Sequence, residues 1–191
     1  MTITLYSSSI TLMKMNNETA LVTGSTSGIG RAIAEHLLSQ GCQVAICSRN
    51  EQSVTSTVAE LTGKFGPRVI GFKCDVEHSV DLIRVVSQTV VRFGSLHILV
   101  ANAGRSAHYG PFECLDPEDA EREAKQVIGA NLIGTINTLA TVLPQMKSQG
   151  YGRIVTLSGG GADRPIDNMT IYSASKGGLL AFSKCLAMEL E

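Results

Sequence analysis

The sequence predicts an α/β domain built on a doubly wound parallel sheet with helices on both faces. Three observations carry this. Short β-branched runs alternate with helical patterns along the chain. The runs are apolar on both sides, as strands covered by two helical layers must be. The first run, ALVTG (20–24), passes directly into a glycine-rich turn that opens a helix.

The elements follow in order. ALVTG reads as a buried strand, and the helix after it covers 29–39, with Gly41 as its stop. QVAICS (43–48) is the second strand and 50–62 the next helix. VIGFKCD (69–75) is the third strand, followed by a helix near 80–93. HILVANAG (97–104) is the fourth. A long helical pattern over 117–146 places Ile128, Leu132, Ile136, Leu139, Leu143 and Met146 on one apolar stripe. RIVTLS (153–158) is the fifth strand, and 173–190 the last helix. Parallel strands joined by helices imply right-handed crossovers.

The bulk properties bound the function. With 191 residues, 43% apolar and 17% charged, the chain suits one globular domain. A chain of this length buries roughly 70% of its unfolded surface and needs no covalent staples. A net charge of −1 gives no electrostatic footprint for nucleic acid or an anionic membrane, so a small-molecule partner is expected. The five cysteines, Cys42, Cys47, Cys74, Cys114 and Cys185, are odd in number and scattered, which speaks against a disulfide framework and for the reducing cytoplasm. Neither they nor the four histidines show ligand spacing, so no metal is expected. Residues 1–15 place their one charge, Lys14, late, unlike a signal peptide. They read as a disordered or non-native extension, leaving 16–191 as a single domain. The uncharged stretch 126–146 contains two Asn, two Gln, three Thr and a Pro, which favours a buried helix over a membrane span.

The turn TGSTSGIG (23–30) carries the first chemistry. Glycine permits positive φ and lets a backbone approach a pyrophosphate, and a helix N-terminus there offers free N–H groups and a positive dipole end. Gly24, Ser25, Ser27, Gly28, Ile29 and Gly30 are therefore candidate cofactor residues. The spacing is G-x-x-x-G-x-G, not the G-x-G-x-x-G of the commonest dinucleotide fold. Together with CDV (74–76), NAG (102–104), Asn131 in GANLIGT and Tyr172-Ser-Ala-Ser-Lys176, it resembles the short-chain dehydrogenase/reductase family from residue 19 to the chain's last. That resemblance implies a Rossmann-like fold, a nicotinamide dinucleotide, and hydride transfer with a carbonyl or secondary alcohol.

The second strand ends in CSRN (47–50) without the carboxylate that an NAD site presents to the ribose 2′-OH. Arg49, flanked by Ser48 and Asn50, suits a 2′-phosphate instead, so NADP(H) is favoured over NAD(H). By resemblance Asp75 and Val76 flank the adenine ring, although Asp75 reads equally as a helix cap. Asn102, Ala103 and Gly104 resemble the turn beneath the cofactor, with Ala101 where the family usually has another Asn.

Tyr172 and Lys176 lie four residues apart, on one helix face. A free phenol, of pKa about 10, is a poor base at neutral pH, and a neighbouring ammonium favours its ionised form. The pair thus reads as a general acid in reduction and a general base in oxidation. By resemblance Lys176 also bonds the nicotinamide ribose, and Asn131 holds a water linking Lys176 to solvent. The alternative for Asn131 is a satisfied core amide, as Asn137 is expected to be. The family's serine lies thirteen places before the tyrosine, which here is Gly159, with Ser158 one residue earlier. A one-residue shift turns a strand side chain to the other face. Gly159, Gly160 and Gly161 are expected to kink the strand end and re-aim Ser158 at the substrate carbonyl, with a backbone N–H of the glycine run as the substitute.

The family normally continues with two more strands beyond the final helix, so strand five is expected to be an open edge and the domain shortened. Two functions follow. One is an NADP(H)-dependent oxidoreductase; the other is a nucleotide-binding, catalytically impaired truncated or regulatory homologue. By resemblance the chain forms a homodimer or homotetramer through the helix around 128–146 and the last helix.

Overall fold

Five short strands of mostly apolar residues line up in parallel because each is followed by a helix that carries the chain back across the sheet. In the computed structural model, which describes residues 15–106 and 108–190, they are β1 (Thr19–Thr23), β2 (Gln43–Ser48), β3 (Val69–Lys73), β4 (Ile98–Ala101) and β5 (Arg153–Thr156). Their order is β3-β2-β1-β4-β5, all neighbours parallel. β1 is central and buried along its whole length. The doubly wound sheet expected from the alternating pattern is therefore present.

Strand alternation divides the core in two. Leu21, Ala45, Cys47, Leu99 and Ala101 face one layer, where α3 (Ser79–Phe93) contributes Leu82 and Val85 and α5 (Gly134–Gln149) contributes Leu139, Val142 and Met146. Phe182 and Leu186 of α6 (Thr170–Glu189) pack against the same cluster. Ala20, Val22, Val44, Ile46, Ile98 and Val100 face the other layer, met by Leu37 and Leu38 of α1 (Gly28–Ser39) and Leu61 of α2 (Glu51–Phe65). Met15 joins that second layer from outside the sheet. Met15, placed by the sequence in the expected extension 1–15, thus packs on the core, and the rest of that stretch lies outside the described residues.

Helix ends follow local chemistry. The Asn50 side chain accepts from the Ser53 N–H at 2.8 Å and caps α2. Asp116 does the same for α4 (Pro117–Ile128), with Pro117 at the first helical position. Asn50 is therefore the cap of its helix and not its first turn.

One expectation about the long helix is corrected. Residues 129–133 form a π turn between α4 and α5. Its extra residue per turn rotates the buried face, so Val127, Ala130, Asn131, Thr135, Thr138, Leu139, Val142 and Met146 point inward. Of the predicted stripe, only Leu139 and Met146 are fully buried; Ile128, Leu132, Ile136 and Leu143 are half-buried. Thr135 and Thr138 are tolerated inside because their hydroxyls donate to the carbonyls of Asn131 and Gly134, at 2.9 and 2.7 Å. The run Pro117–Gln149 is long and apolar enough by composition to cross a membrane, yet its inner face belongs to the core. Strand β5 lies at the sheet edge, with Val155 half-exposed, as the sequence led us to expect.

Leu139 sits 1% exposed between the sheet and α3. Leu139→Ala is expected to lower unfolding free energy by about 2–5 kcal/mol, read from urea denaturation, through lost burial and the cavity left behind.

Candidate active site

The sheet order reverses between β1 and β4, so the chain leaves these adjacent strands in opposite directions. A crevice must open beyond their carboxyl ends. The turn after β1 and the segment after β4 form its walls. They are clasped together. Asn102 Nδ2 donates to the carbonyls of Thr23 and Gly24 at 2.9 and 3.0 Å. In return, Thr23 Oγ1 accepts the backbone N–H groups of Asn102 and Ala103 at 3.1 and 3.0 Å.

Glycine is required where these walls touch. Gly24 has φ +62°, and a Cβ there would lie 2.9 Å from Ala103 Cα. A Cβ on Gly30 would collide with Asn102 Nδ2 and the Gly24 carbonyl. The first turn of α1 therefore packs directly on the clasp. Its N-cap, Ser27, makes no side-chain capping bond, and the turn holds no acidic residue, so the helix's first N–H groups are unclaimed by a cap or an acid. Ser27, Gly28 and Ile29 are exposed there. Ser25 is not. It is fully buried, its hydroxyl donates to Val22 O at 2.6 Å and accepts from the Cys47 N–H at 3.1 Å, and its own N–H donates to Cys47 O. It braces the turn against β2 in place of facing a ligand.

Beyond the clasp the crevice widens into a cleft. It is lined by Gly24, Ser48, Arg49, Asp75, Val76, Ala103 and Gly104, all singled out in the sequence, and by Cys47, Cys74, Glu77 and Ala130, which were not. Arg49 is exposed and has no hydrogen-bond or ion-pair partner among the described residues. Asn50, its neighbour, uses its side chain to cap α2. Asp75 Oδ1 accepts from the Glu77 N–H at 3.1 Å, so it starts the turn into α3 while remaining at the cleft. Asn137 donates to the carbonyls of Val76 and Glu77 at 3.3 and 3.2 Å, the satisfied amide expected of it.

The second end of the crevice is built by α6. Lys176 is only 8% exposed, and its Nζ donates to Leu157 O at 2.8 Å, just past β5. The ammonium lies 5.7 Å from the centre of the Tyr172 ring. Burial holds Lys176 below the usual lysine value. Tyr172 is half-buried, and its hydroxyl makes no hydrogen bond among the described residues. The structure thus brings the two predicted residues together on one face.

Asn131 sits in the π turn, wholly buried. Its Oδ1 accepts from the Arg105 N–H at 2.7 Å, and its Nδ2 donates to Arg105 O and Ser175 Oγ at 3.1 and 3.0 Å. Ser175 in turn donates to Tyr172 O at 2.7 Å. Both side-chain N–H groups are occupied, so the amide ties the segment after β4 to α6. Ser158 donates to the Lys176 carbonyl at 3.2 Å, and no hydrogen bond joins it to the Tyr172 hydroxyl among the described residues. The Ser158 hydroxyl, expected to point at a substrate carbonyl, is thus directed at the backbone of α6 in this structure. Gly159, at φ +83°, is the residue beside that hydroxyl: a Cβ built on it would lie 3.3 Å from Tyr172 Oη. The Leu157 carbonyl and Ser175 had no signal of their own in the sequence, because their roles arise from where β5 ends and how α6 docks.

A family model described as short chain dehydrogenase matches residues 18–191. The chain is 37% identical over 177 residues to dehydrogenase/reductase SDR family member 4 of Sus scrofa, a match covering 92% of this chain and 61% of that protein. Its fold is similar to actinorhodin polyketide ketoreductase solved with NADPH (36% identity, TM-score 0.83, 93% of this chain and 66% of that one). It is also similar to NAD+-bound xylitol dehydrogenase (30% identity, TM-score 0.85, the same two coverages). The chain therefore spans about three fifths of the length of the curated relatives first matched.

The burial of Lys176 has a measurable consequence. Between its lowered native value and the usual 10.5, the unfolded chain holds the extra proton. This group's contribution to stability therefore rises with pH across that window, and below it the native state bears the full cost of a buried cation. In Lys176→Met that dependence disappears. The stability difference, variant minus wild type, is expected to fall as pH rises from neutral towards 10.5 in parallel urea titrations.

Proposed function

The chain belongs to the short-chain dehydrogenase family, and from that premise we propose that it acts as an NADP(H)-dependent oxidoreductase of a small carbonyl or secondary alcohol. The observation that carries the proposal is the buried Lys176 ammonium fixed beside the unpartnered Tyr172 phenol, across the crevice from a glycine turn and an uncapped helix N-terminus.

The crevice fits a dinucleotide by its own geometry. Side chains are absent at Gly24 and Gly30, where the turn meets the clasp, and the N–H groups of α1 are unclaimed by a cap or an acid. Asp75 and Val76 would border the adenine, and Ser48 with the unpartnered Arg49 would take a ribose 2′-phosphate. Lys176 would reach the nicotinamide ribose. When bound, that cofactor supplies or accepts the hydride.

The protein's part is the proton. The free Tyr172 hydroxyl is available to a substrate oxygen. As negative charge grows on that oxygen during reduction, Tyr172 donates its proton, and the Lys176 ammonium stabilises the phenolate left behind. Oxidation runs the same transfer in reverse. Leu157 O holds the ammonium in place, and Asn131 keeps the Tyr172 turn of α6 in register with the segment after β4. Gly159, beside the hydroxyl, begins the run whose backbone N–H groups would polarise the carbonyl, since Ser158 is engaged with α6. In this reading the chain works in the cytoplasm as a homodimer or homotetramer, packed through α5 and α6.

One observation favours a second reading, a chain that binds nucleotide without turnover: the hydroxyl of Ser158 is directed to the Lys176 carbonyl. NADPH fluorescence titration followed by NADPH consumption with a panel of ketones separates the two. Binding without consumption supports the second reading. For the first, Tyr172→Phe is expected to reduce turnover by about 10²–10⁴-fold with NADPH affinity unchanged. Turnover retained in that variant would remove Tyr172 from its role. In a separate titration, Arg49→Ala is expected to weaken NADPH by about 10- to 100-fold while leaving NADH nearly unaffected, the effect of losing charge-assisted bonds to one phosphate.

A further inference from the structure

Two of the cleft residues are cysteines, and neither has a part in the chemistry above. Cys47 is the penultimate residue of β2, and Cys74 lies one residue beyond β3. Both side chains point to the same core layer. The Cys74 N–H donates to Ser48 O at 2.9 Å, which holds the two strand ends side by side. Same-face side chains on neighbouring strand ends bring the two thiols close enough that each shifts the other's ionisation. They are almost completely buried, at 1% and 2% exposure, yet both line the cleft with Ser48, Arg49, Asp75 and Val76. The cleft is therefore their route to solvent.

The pair is chemically asymmetric. The interaction with Cys74, reinforced by burial, pushes the Cys47 thiol well up. The same interaction draws Cys74 below the usual thiol value, with burial opposing it. Cys74 is thus the member that ionises first, and Cys47 is a proton-bearing neighbour close to it.

We propose that Cys47 and Cys74 form a thiol pair that a hydroperoxide entering the cleft oxidises to a disulfide, and that a nucleotide seated in the cleft shields them. The Cys74 thiolate attacks the terminal peroxide oxygen. The O–O bond breaks, the departing oxygen takes a proton to leave as alcohol or water, and Cys74 becomes a sulfenic acid. The Cys47 sulfur then attacks the Cys74 sulfur, the S–S bond forms, and water departs with the Cys47 proton. Two thiols are oxidised by one peroxide. Cys74 lies one residue past β3, so closing the link gives up its N–H bond to Ser48 O and shifts Asp75 and Val76, which border the cleft. The shielding half rests on the nucleotide-binding reading above.

The test uses the full chain and hydrogen peroxide, with residual thiols alkylated and tryptic peptides mapped by tandem mass spectrometry. A Cys47–Cys74 crosslink is expected. In Cys47→Ser it is replaced by a Cys74 sulfenic acid that dimedone traps. NADP+ at about ten times its measured Kd is expected to slow crosslinking about tenfold, in proportion to the unliganded fraction. No Cys47–Cys74 link at peroxide levels that oxidise the exposed Cys114 and Cys185 overturns the proposal. So does a link that forms equally fast with nucleotide demonstrably bound. A titration that detects no bound nucleotide defeats the cofactor reading instead, and the crosslink alone then decides the thiol pair.

Discussion

The clasp between Thr23 and Asn102 is the interaction on which the site depends. Diverging chain directions open a crevice at the β1–β4 boundary, and nothing in the sheet ladder itself holds its walls at a fixed spacing. Four hydrogen bonds between two side chains and the opposing backbone do so. They also satisfy carbonyls and N–H groups that no strand neighbour reaches. The close packing of Gly30 follows from this: the α1 N-terminus can press against the clasp only where no Cβ intervenes. The α1 N-terminus is thus positioned by two side chains that lie outside it.

The α6 end obeys a comparable logic with a charge in place of a glycine. A buried ammonium is unfavourable unless hydrogen-bonded. Lys176 has one carbonyl partner, supplied where β5 has just ended, and the face of an aromatic ring beside it. Each also orients it. Asn131 and Ser175 then fix the helix turn that carries Tyr172, through a bonded chain running from the Arg105 backbone to Tyr172 O. Two polar clamps, one at each end of the crevice, therefore hold a site whose floor is an apolar parallel sheet.

Much of this was legible in the sequence because it rests on short-range rules. Strand and helix order followed from periodicity, and β2 matches its predicted run residue for residue. The glycine turn was legible because glycine is needed for steric reasons that act locally. The Tyr172–Lys176 pair was legible because helical spacing puts them on one face. What escaped depended on tertiary placement. The π turn at 129–133 changed which residues of the long helix face inward, and no local pattern distinguishes that turn from a regular one. Ser25 looked like a ligand contact from its place in the motif, yet its hydroxyl is absorbed in joining β1 to β2. The two cleft cysteines are 27 positions apart and meet only because β2 and β3 are neighbours.

Ser158 and Gly159 divide the chain just past β5 between two neighbours, Lys176 and Tyr172. Position 158 lies two residues past β5, and its hydroxyl bonds the carbonyl of the very residue that carries the buried cation. Leu157 O and Ser158 Oγ thus grip Lys176 from successive residues, one at the side-chain nitrogen and one at the backbone oxygen. Position 159 is left to face the phenol. It is occupied by a residue with no side chain and a left-handed backbone, which leaves room beside the Tyr172 hydroxyl. The chain just past β5 therefore anchors the cation through Leu157 O and its helix turn through Ser158. Lys176 is held more firmly by this arrangement, and position 159 beside the Tyr172 hydroxyl carries no side-chain donor.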